Sequence, residues 1–307
     1  MKPGKDAAEA SQPRAALRRR NLGPLYTGPM TLWFTVFFLV PVVIIVAYSF
    51  LRRGPYGGVE MEFTLDAYRS LADGIFVNVT LRTLRTAIVT TVITLLIALP
   101  CGYYMARSKR QNLLLLLIII PFWTNFLIRV FAWMNILGRY GFLNETLRLL
   151  GIVDEPIQIM FTQGAVVLVL VYMYLPFAIL PLFASIDKFD FSLLEAARDL
   201  GASKFSALTR VLLPNIRGGI MTAVLFTFIP VFGAYAIPLL VGGRESYMLG
   251  NMIADQLLSA RNWPRASAIS MVITLVTTAG VMFTLSMRRR DASRMAEARF
   301  GAEGGAR

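Results

Sequence analysis

Six apolar runs, roughly 30–51, 80–106, 113–138, 163–186, 215–241 and 266–287, constrain this chain more than any motif it carries. As a helix at about 1.5 Å per residue, each reaches across a hydrocarbon core of about 30 Å. Lipid offers no partner to a free N–H or C=O, so a run of that length has to bond its backbone to itself. The mean hydropathy of +0.60 and the 56% share of hydrophobic residues are too high for a soluble domain of 307 residues. The expected fold is therefore an all-α membrane protein with six transmembrane helices. Pro41 and Pro100 fall inside runs, where neighbouring helices can satisfy the carbonyls that they free.

Charge orients the spans. The formal net charge is +13, and the basic residues cluster at alternate span ends. With the N-terminus inside, 20 of the 31 Lys and Arg share one side with 9 Asp and Glu, against 10 and 9 on the other side, with Arg129 inside a span. The positive-inside rule then makes both termini and the loop 187–214 cytoplasmic. The resulting organisation is a cytoplasmic tail at 1–29, a membrane domain at 30–287 and a second cytoplasmic tail at 288–307, the last expected to be disordered after Arg290. A nucleic-acid-binding surface is excluded because the basic excess sits at span ends rather than on one folded face.

Several chemistries are missing. There is no histidine, and Cys101 is the sole cysteine, which removes His-based catalysis, Cys-based metal sites and an intrachain disulfide. No Gly-rich phosphate loop of the Gly-x-x-x-x-Gly-Lys-Ser/Thr kind is present. No residue is expected to be catalytic and none to hold a metal. Any nucleotide work falls to a partner.

The loop between the fourth and fifth spans is polar and sharply punctuated. Glu195-Ala196-Ala197, Gly201, Val211 and Leu213-Pro214 follow one another at spacings that suggest two short helices joined by a hinge. Ser192 is placed to cap the first, with Glu195 bonding back to it in a capping box. Gly201 supplies the left-handed turn that ends it. The second is expected over about 203–213, stopped by Pro214.

The spans themselves carry aromatics and almost no acid. Asp and Glu are absent from 113–138, 163–186, 215–241 and 266–287, which argues against a proton- or sodium-coupled carrier working alone. Phe122, Trp123, Asn125, Arg129, Tyr174, Phe232 and Tyr235 are candidates for a translocation path, where aromatic faces attract a cation without trapping it. At the third span's far end, Arg129 fits a snorkelling side chain. The segments 137–144 and 250–253 are candidates for contact with a soluble partner.

The spaced loop pattern resembles the Glu-Ala-Ala loop of permease subunits of binding-protein-dependent ABC importers, with Val211 where isoleucine is usual. Pro121-Phe122-Trp123-Thr124-Asn125 with Ile128-Arg129, Tyr174-Leu175-Pro176-Phe177, Leu194 to Ala197, and Gly250 to Ile253 followed by Trp263-Pro264 resemble the first permease of spermidine/putrescine-type importers. The resemblance implies a type I importer core in a bacterial inner membrane and a loop that inserts into an ATPase groove. It also implies a second permease subunit in a heterodimer, two ABC ATPase subunits and a periplasmic or lipid-anchored binding protein. ATP and Mg would then sit on the ATPase, with no cofactor on this chain. An opine, an amino-acid-like solute, thiamine or a ferric complex remain alternative cargoes.

The charge asymmetry yields a topology test. Reporters fused after Arg110, Arg210 and Arg290 should read as cytoplasmic, and those after Asp73, Glu155 and Arg261 as external; an external Arg210 fusion would invert the loop.

Overall fold

The computed structural model describes residues 23–304, so the tail residues 1–22 and 305–307 lie outside the described residues. By internal contacts the chain divides into two units, Met1–Ile44 and Ile45–Arg307. Helix α1 begins in the first at Gly23–Phe34, continues through a wide turn at Thr35–Leu39 and, over Val40–Ser49, passes the boundary at Ile44. It therefore starts before the expected 30. Pro24, at its first turn, needs no N–H there.

In the second unit, the loop expected after the first span holds an antiparallel hairpin, β1 (Leu51–Arg53) with β2 (Val59–Phe63), then the short helix α2 (Asp66–Arg69). The all-α expectation is corrected to that extent. Gly57 and Gly58, at φ +95° and +79°, make the turn, and Gly58 N–H donates to Arg261 O at 2.9 Å.

Then come α3 (Gly74–Arg107), α4 (Gln111–Ile119), α5 (Phe126–Leu137), α6 (Phe142–Leu149), α7 (Gln163–Asp187), α8 (Ser192–Asp199), α9 (Lys204–Ala207) and α10 (Leu213–Asn215). They are followed by α11 (Arg217–Phe232), α12 (Ala236–Val241), α13 (Leu249–Leu258) and α14 (Trp263–Gly304). Among the described residues, four helical segments are long and apolar enough to cross a membrane, or up to six if each of two bent pairs is one span. The third expected span, 113–138, is bent by 92° around Thr124–Asn125, and the fifth begins with a 74° bend at Ile216. That fifth helix ends at Phe232, not 241, because Gly233 to Tyr235 leave helical geometry before α12. Asn125 explains the first break: it has extended backbone, and its Oδ1 accepts the Leu127 N–H at 2.8 Å, which caps a new helix. The tail expected to be disordered after Arg290 is helical to Gly304; its Ala, Arg, Met and Glu are strong helix formers.

Helices α3, α7 and α11 form the centre. A main cluster, with Val130, Leu137, Val166, Leu170, Val231 and Ile269 fully enclosed, joins them to α5, α12, α13 and α14. Small residues let the three approach. A Cβ on Gly219 would stand 2.4 Å from Ser185 Cβ, and one on Gly102 would stand 3.2 Å from the Phe183 nitrogen. The buried Thr83, Thr86, Thr91 and Thr94 of α3 bond back along the helix, whereas Thr90 Oγ1 has no partner among the described residues; Thr83 Oγ1 donates to Val79 O at 2.8 Å and accepts the Leu249 N–H at 3.0 Å. The 250–253 segment is packing rather than contact surface. Asn251 and Met252 are buried, and Asn251 bridges Met248 N–H and Tyr235 O.

Gly219→Val should overpack the crossing and cost roughly 1–3 kcal/mol of stability, whereas Gly218→Ala, with nothing within 4 Å of its new methyl, should be tolerated. Melting of the detergent-solubilised protein checks the pair; equal melting would place the close approach elsewhere.

Candidate functional site: the loop from Asp187 to Arg217

The loop's first turn differs from the expected capping box. Ser192 is the first helical residue of α8, and the preceding Phe191 makes no side-chain cap. Asp190 does the capping: its Oδ1 accepts the Ser192 N–H at 3.0 Å. Hydrogen bonds from Ser192, first its side chain and then its backbone, hold the Asp190 carboxyl below the ordinary carboxylate range. The sign follows from that depression. The cap is fully present above the ordinary carboxylate pKa and is lost only as pH falls through the depressed one, so it is intact at neutral pH.

Gly201 performs as the sequence suggests. At φ +88° it turns the chain left-handed, while its N–H donates to Arg198 O at 2.9 Å and the Ala202 N–H donates to Ala197 O at 3.0 Å. That pair of bonds is a Schellman motif. Ser203 then caps α9 by accepting the Ser206 N–H at 3.2 Å. Pro214 does not stop the second helix. A wide turn at Leu208–Leu212, in which the Leu213 N–H reaches back to Leu208 O, carries the chain into α10. Such a turn shifts the carbonyl that the proline ring would crowd, and Asn215 Nδ2 satisfies Val211 O at 2.7 Å. The helix ends at Asn215, where the 74° bend begins.

One face of this hinge is anchored and the other is bare. Leu194, Ala207, Leu212 and Ile216 pack with Ile186 in a small core of their own, joined at its edge by Ala197, Val211 and Leu213. Phe191 stacks edge-on with Tyr103 at 6.1 Å, under the Arg107 guanidinium at 5.2 Å. Gln111 Nε2 donates to Asp187 Oδ1 at 3.1 Å and to Ala106 O at 3.0 Å. On the bare face, Glu195 and Ala196 are exposed, with Leu200 at 89% and Phe205 at 77%. A groove of about 460 Å³ runs between Glu195, Arg198, Gly201 and Lys204. Large apolar side chains rimmed by charge mark a protein contact. Asp190, Phe191 and Gln111 were missed by the sequence reading; an Asp two residues before a helix-opening Ser was the available signal.

The candidate path residues divide. Arg129 Cζ lies 4.7 Å from the Phe122 ring centroid, Phe122 meets Phe177 edge-on at 5.4 Å, and Phe177 lies 6.1 Å from Tyr174. This cluster ties the broken third span to α7. Arg129 does not snorkel free, because its Nε and Nη1 are buried without a hydrogen-bond partner among the described residues. Trp123 is 83% exposed and Tyr235 is partly exposed beside its bond from Asn251. Phe232 is corrected: it is 2% exposed and stacked on Phe228 at 5.6 Å, inside the chain's own core.

Residues 95–292 match the family of binding-protein-dependent transport system inner membrane components, and the chain belongs to that family. It is 42% identical over 246 residues to the spermidine/putrescine transport system permease protein PotB of Escherichia coli (strain K12), covering 80% of this chain and 90% of that one. The counterpart of the same name from Haemophilus influenzae is 39% identical over 80% of this chain and 86% of its own length. The inner membrane ABC transporter permease protein YdcU of Escherichia coli (strain K12) is 29% identical over 87% and 90%. In fold, a chain from the crystal structure of a bacterial alginate ABC transporter in complex with alginate pentasaccharide-bound periplasmic protein superposes with a TM-score of 0.71 at 17% identity, covering 88% and 95%. The chain is thus a multi-pass inner-membrane transport permease.

Because no atom lies within 4 Å of a Cβ on Gly201, Gly201→Ala should cost only the backbone strain, about 1 kcal/mol. Gly201→Val, β-branched in left-handed backbone, should cost more than the alanine variant. Melting of the two detergent-solubilised variants checks this; equal melting would mean that the turn is not held left-handed.

Proposed function

We propose that this chain is one of two permease subunits of an ATP-driven importer for a polyamine of the spermidine and putrescine class. The observation that carries the reading is the 42% identity that extends over 90% of PotB. In this reading six spans leave both termini and the 187–214 loop in the cytoplasm, the bent pairs counting as one span each. A second permease, two ATPase subunits that hold ATP and Mg, and a solute-binding protein complete the assembly.

The loop is the ATPase contact. Its exposed Glu195, Ala196, Leu200 and Phe205 insert into the partner, and the buried Leu194, Leu212 and Ile216 pass the movement to α7 and α11. Rigid caps matter here: Asp190 and Gly201 fix the rod's two ends, so a displacement of α8 is not lost in fraying. The path runs past Phe122, Trp123, Asn125, Arg129, Tyr174 and Tyr235. With no carboxylate beside them, aromatic faces hold an ammonium only briefly, and Arg129, already over the Phe122 ring, competes with the cargo for that face.

Trp123→Leu and Tyr174→Leu should each lower spermidine uptake by about two- to thirtyfold, the span of one cation–π contact, while the assembled complex still hydrolyses ATP. Uptake in proteoliposomes of the complete complex measures it. Unchanged spermidine uptake in both, or a binding protein that captures an anion or a sugar and ignores polyamines, would contradict the cargo.

A further inference from the structure

At the end of the bundle opposite the Asp187–Arg217 loop, α3 and the start of α7 enclose an open cleft of about 400 Å³, lined by Arg82, Arg85, Thr86, Gln163 and Glu245 above Val89 and Val167. Its height in the membrane follows from charge. From Thr86 to Ala106 α3 carries no charged residue, and from Gly164 to Ile186 neither does α7. At about 1.5 Å per residue each stretch matches a hydrocarbon core of roughly 30 Å. Arg85 and Gln163 therefore stand together at its boundary, where phospholipid headgroups lie.

The groups in the cleft are only partly used by the protein. Arg82 Nη1 donates to Arg244 O at 3.1 Å, and neither Arg82 nor Arg85 is ion-paired among the described residues. Gln163 Nε2 donates to Thr86 Oγ1 at 2.6 Å. Since that hydroxyl already donates to Arg82 O at 2.9 Å, it can only accept from Gln163, which fixes the amide. Gln163 Oε1 is left buried with no donor. A buried acceptor without a donor is costly, and Glu245 adds a second acceptor on the same wall.

We propose that this cleft binds the headgroup of phosphatidylethanolamine. The phosphate takes the two guanidinium groups, Arg being suited to phosphate by its planar fork. The primary ammonium donates to the exposed Glu245 carboxylate, and the acyl chains descend over Val89 and Val167. Phosphatidylcholine has the same phosphate but no N–H to give Glu245. Phosphatidylglycerol brings hydroxyls but no cation to face Glu245. A free polyamine satisfies Glu245 yet meets two arginines.

The test uses the full chain in its assembled complex, reconstituted in nanodiscs holding equal fractions of the three phospholipids, with retained lipid read by native mass spectrometry. Phosphatidylethanolamine should be retained about fivefold above phosphatidylcholine, the factor expected of about one net hydrogen bond. Arg85→Gln should lower the retention of all three phospholipids, and Glu245→Gln should remove the preference for the primary amine. Arg82→Gln is less informative because it also cuts the bond to Arg244 O; Arg85, whose side chain is exposed, carries the test. Equal retention of phosphatidylcholine, displacement by phosphatidylglycerol, undiminished retention in Arg85→Gln, or cross-linking of this face to the solute-binding protein in place of lipid would overturn it. The site depends on the membrane reading alone, so its failure leaves the transport reading untouched.

Discussion

Close approach of three helices at small residues is the constraint on which the rest of this structure depends. Apolar side chains gain little by leaving lipid for one another, so helices in a membrane are held by tight packing and hydrogen bonds. Here α11 meets α7 where Gly219 leaves room for Ser185, and α3 meets α7 where Gly102 leaves room for the Phe183 backbone. Both approaches sit within the last two turns before the 187–214 loop. Gln111, bonded to Asp187 and to Ala106 O, closes the same end. The loop thus springs from a rigid collar.

In the proposed function, that collar lets the loop act as a transmission. Leu194, on the inward face of α8, shares one small core with Ile186 at the end of α7 and with Leu212 and Ile216 at the bend before α11. A push on the exposed face, at Glu195, Leu200 or Phe205, has no compliant segment to bend: Asp190 fixes one end of α8 and the Schellman turn at Gly201 fixes the other. The wide turn at Leu208–Leu212 and the 74° bend at Ile216 are where the push changes direction. Bent helices of this kind carry their own compensation, since Asn125 Oδ1 and Asn215 Nδ2 each satisfy a backbone group that the break would orphan.

Much of this was legible in the sequence, for physical reasons that also explain what was not. Hydrocarbon thickness sets a length, so the uninterrupted spans at 80–106 and 163–186 could be read from apolar runs alone, and Gly201 could be read because left-handed backbone excludes most other residues. The 113–138 run hid its break because hydropathy is blind to direction; Pro121 and Asn125 were the only signs of it. Ser192 misled because Asp190, two residues earlier, already accepts the N–H that Glu195 would have bonded in a capping box. Phe232 misled because an aromatic in a span says nothing of the side it faces; only the stack on Phe228 does. The chain after the break at Gly233 packs against distant residues, Gly250 on the Ala234 carbonyl and Asn251 on Tyr235 O, which no local pattern encodes.

The central claim is that the exposed ridge at Leu200 is where an ATPase subunit seats. Cys101 is the only native cysteine, so replacing it with serine and introducing Leu200→Cys gives one reporter thiol on that ridge. Maleimide labelling of this thiol should be rapid in the permease alone and strongly suppressed once the ATPase subunits are bound. Labelling that is equally fast with and without them would contradict the account.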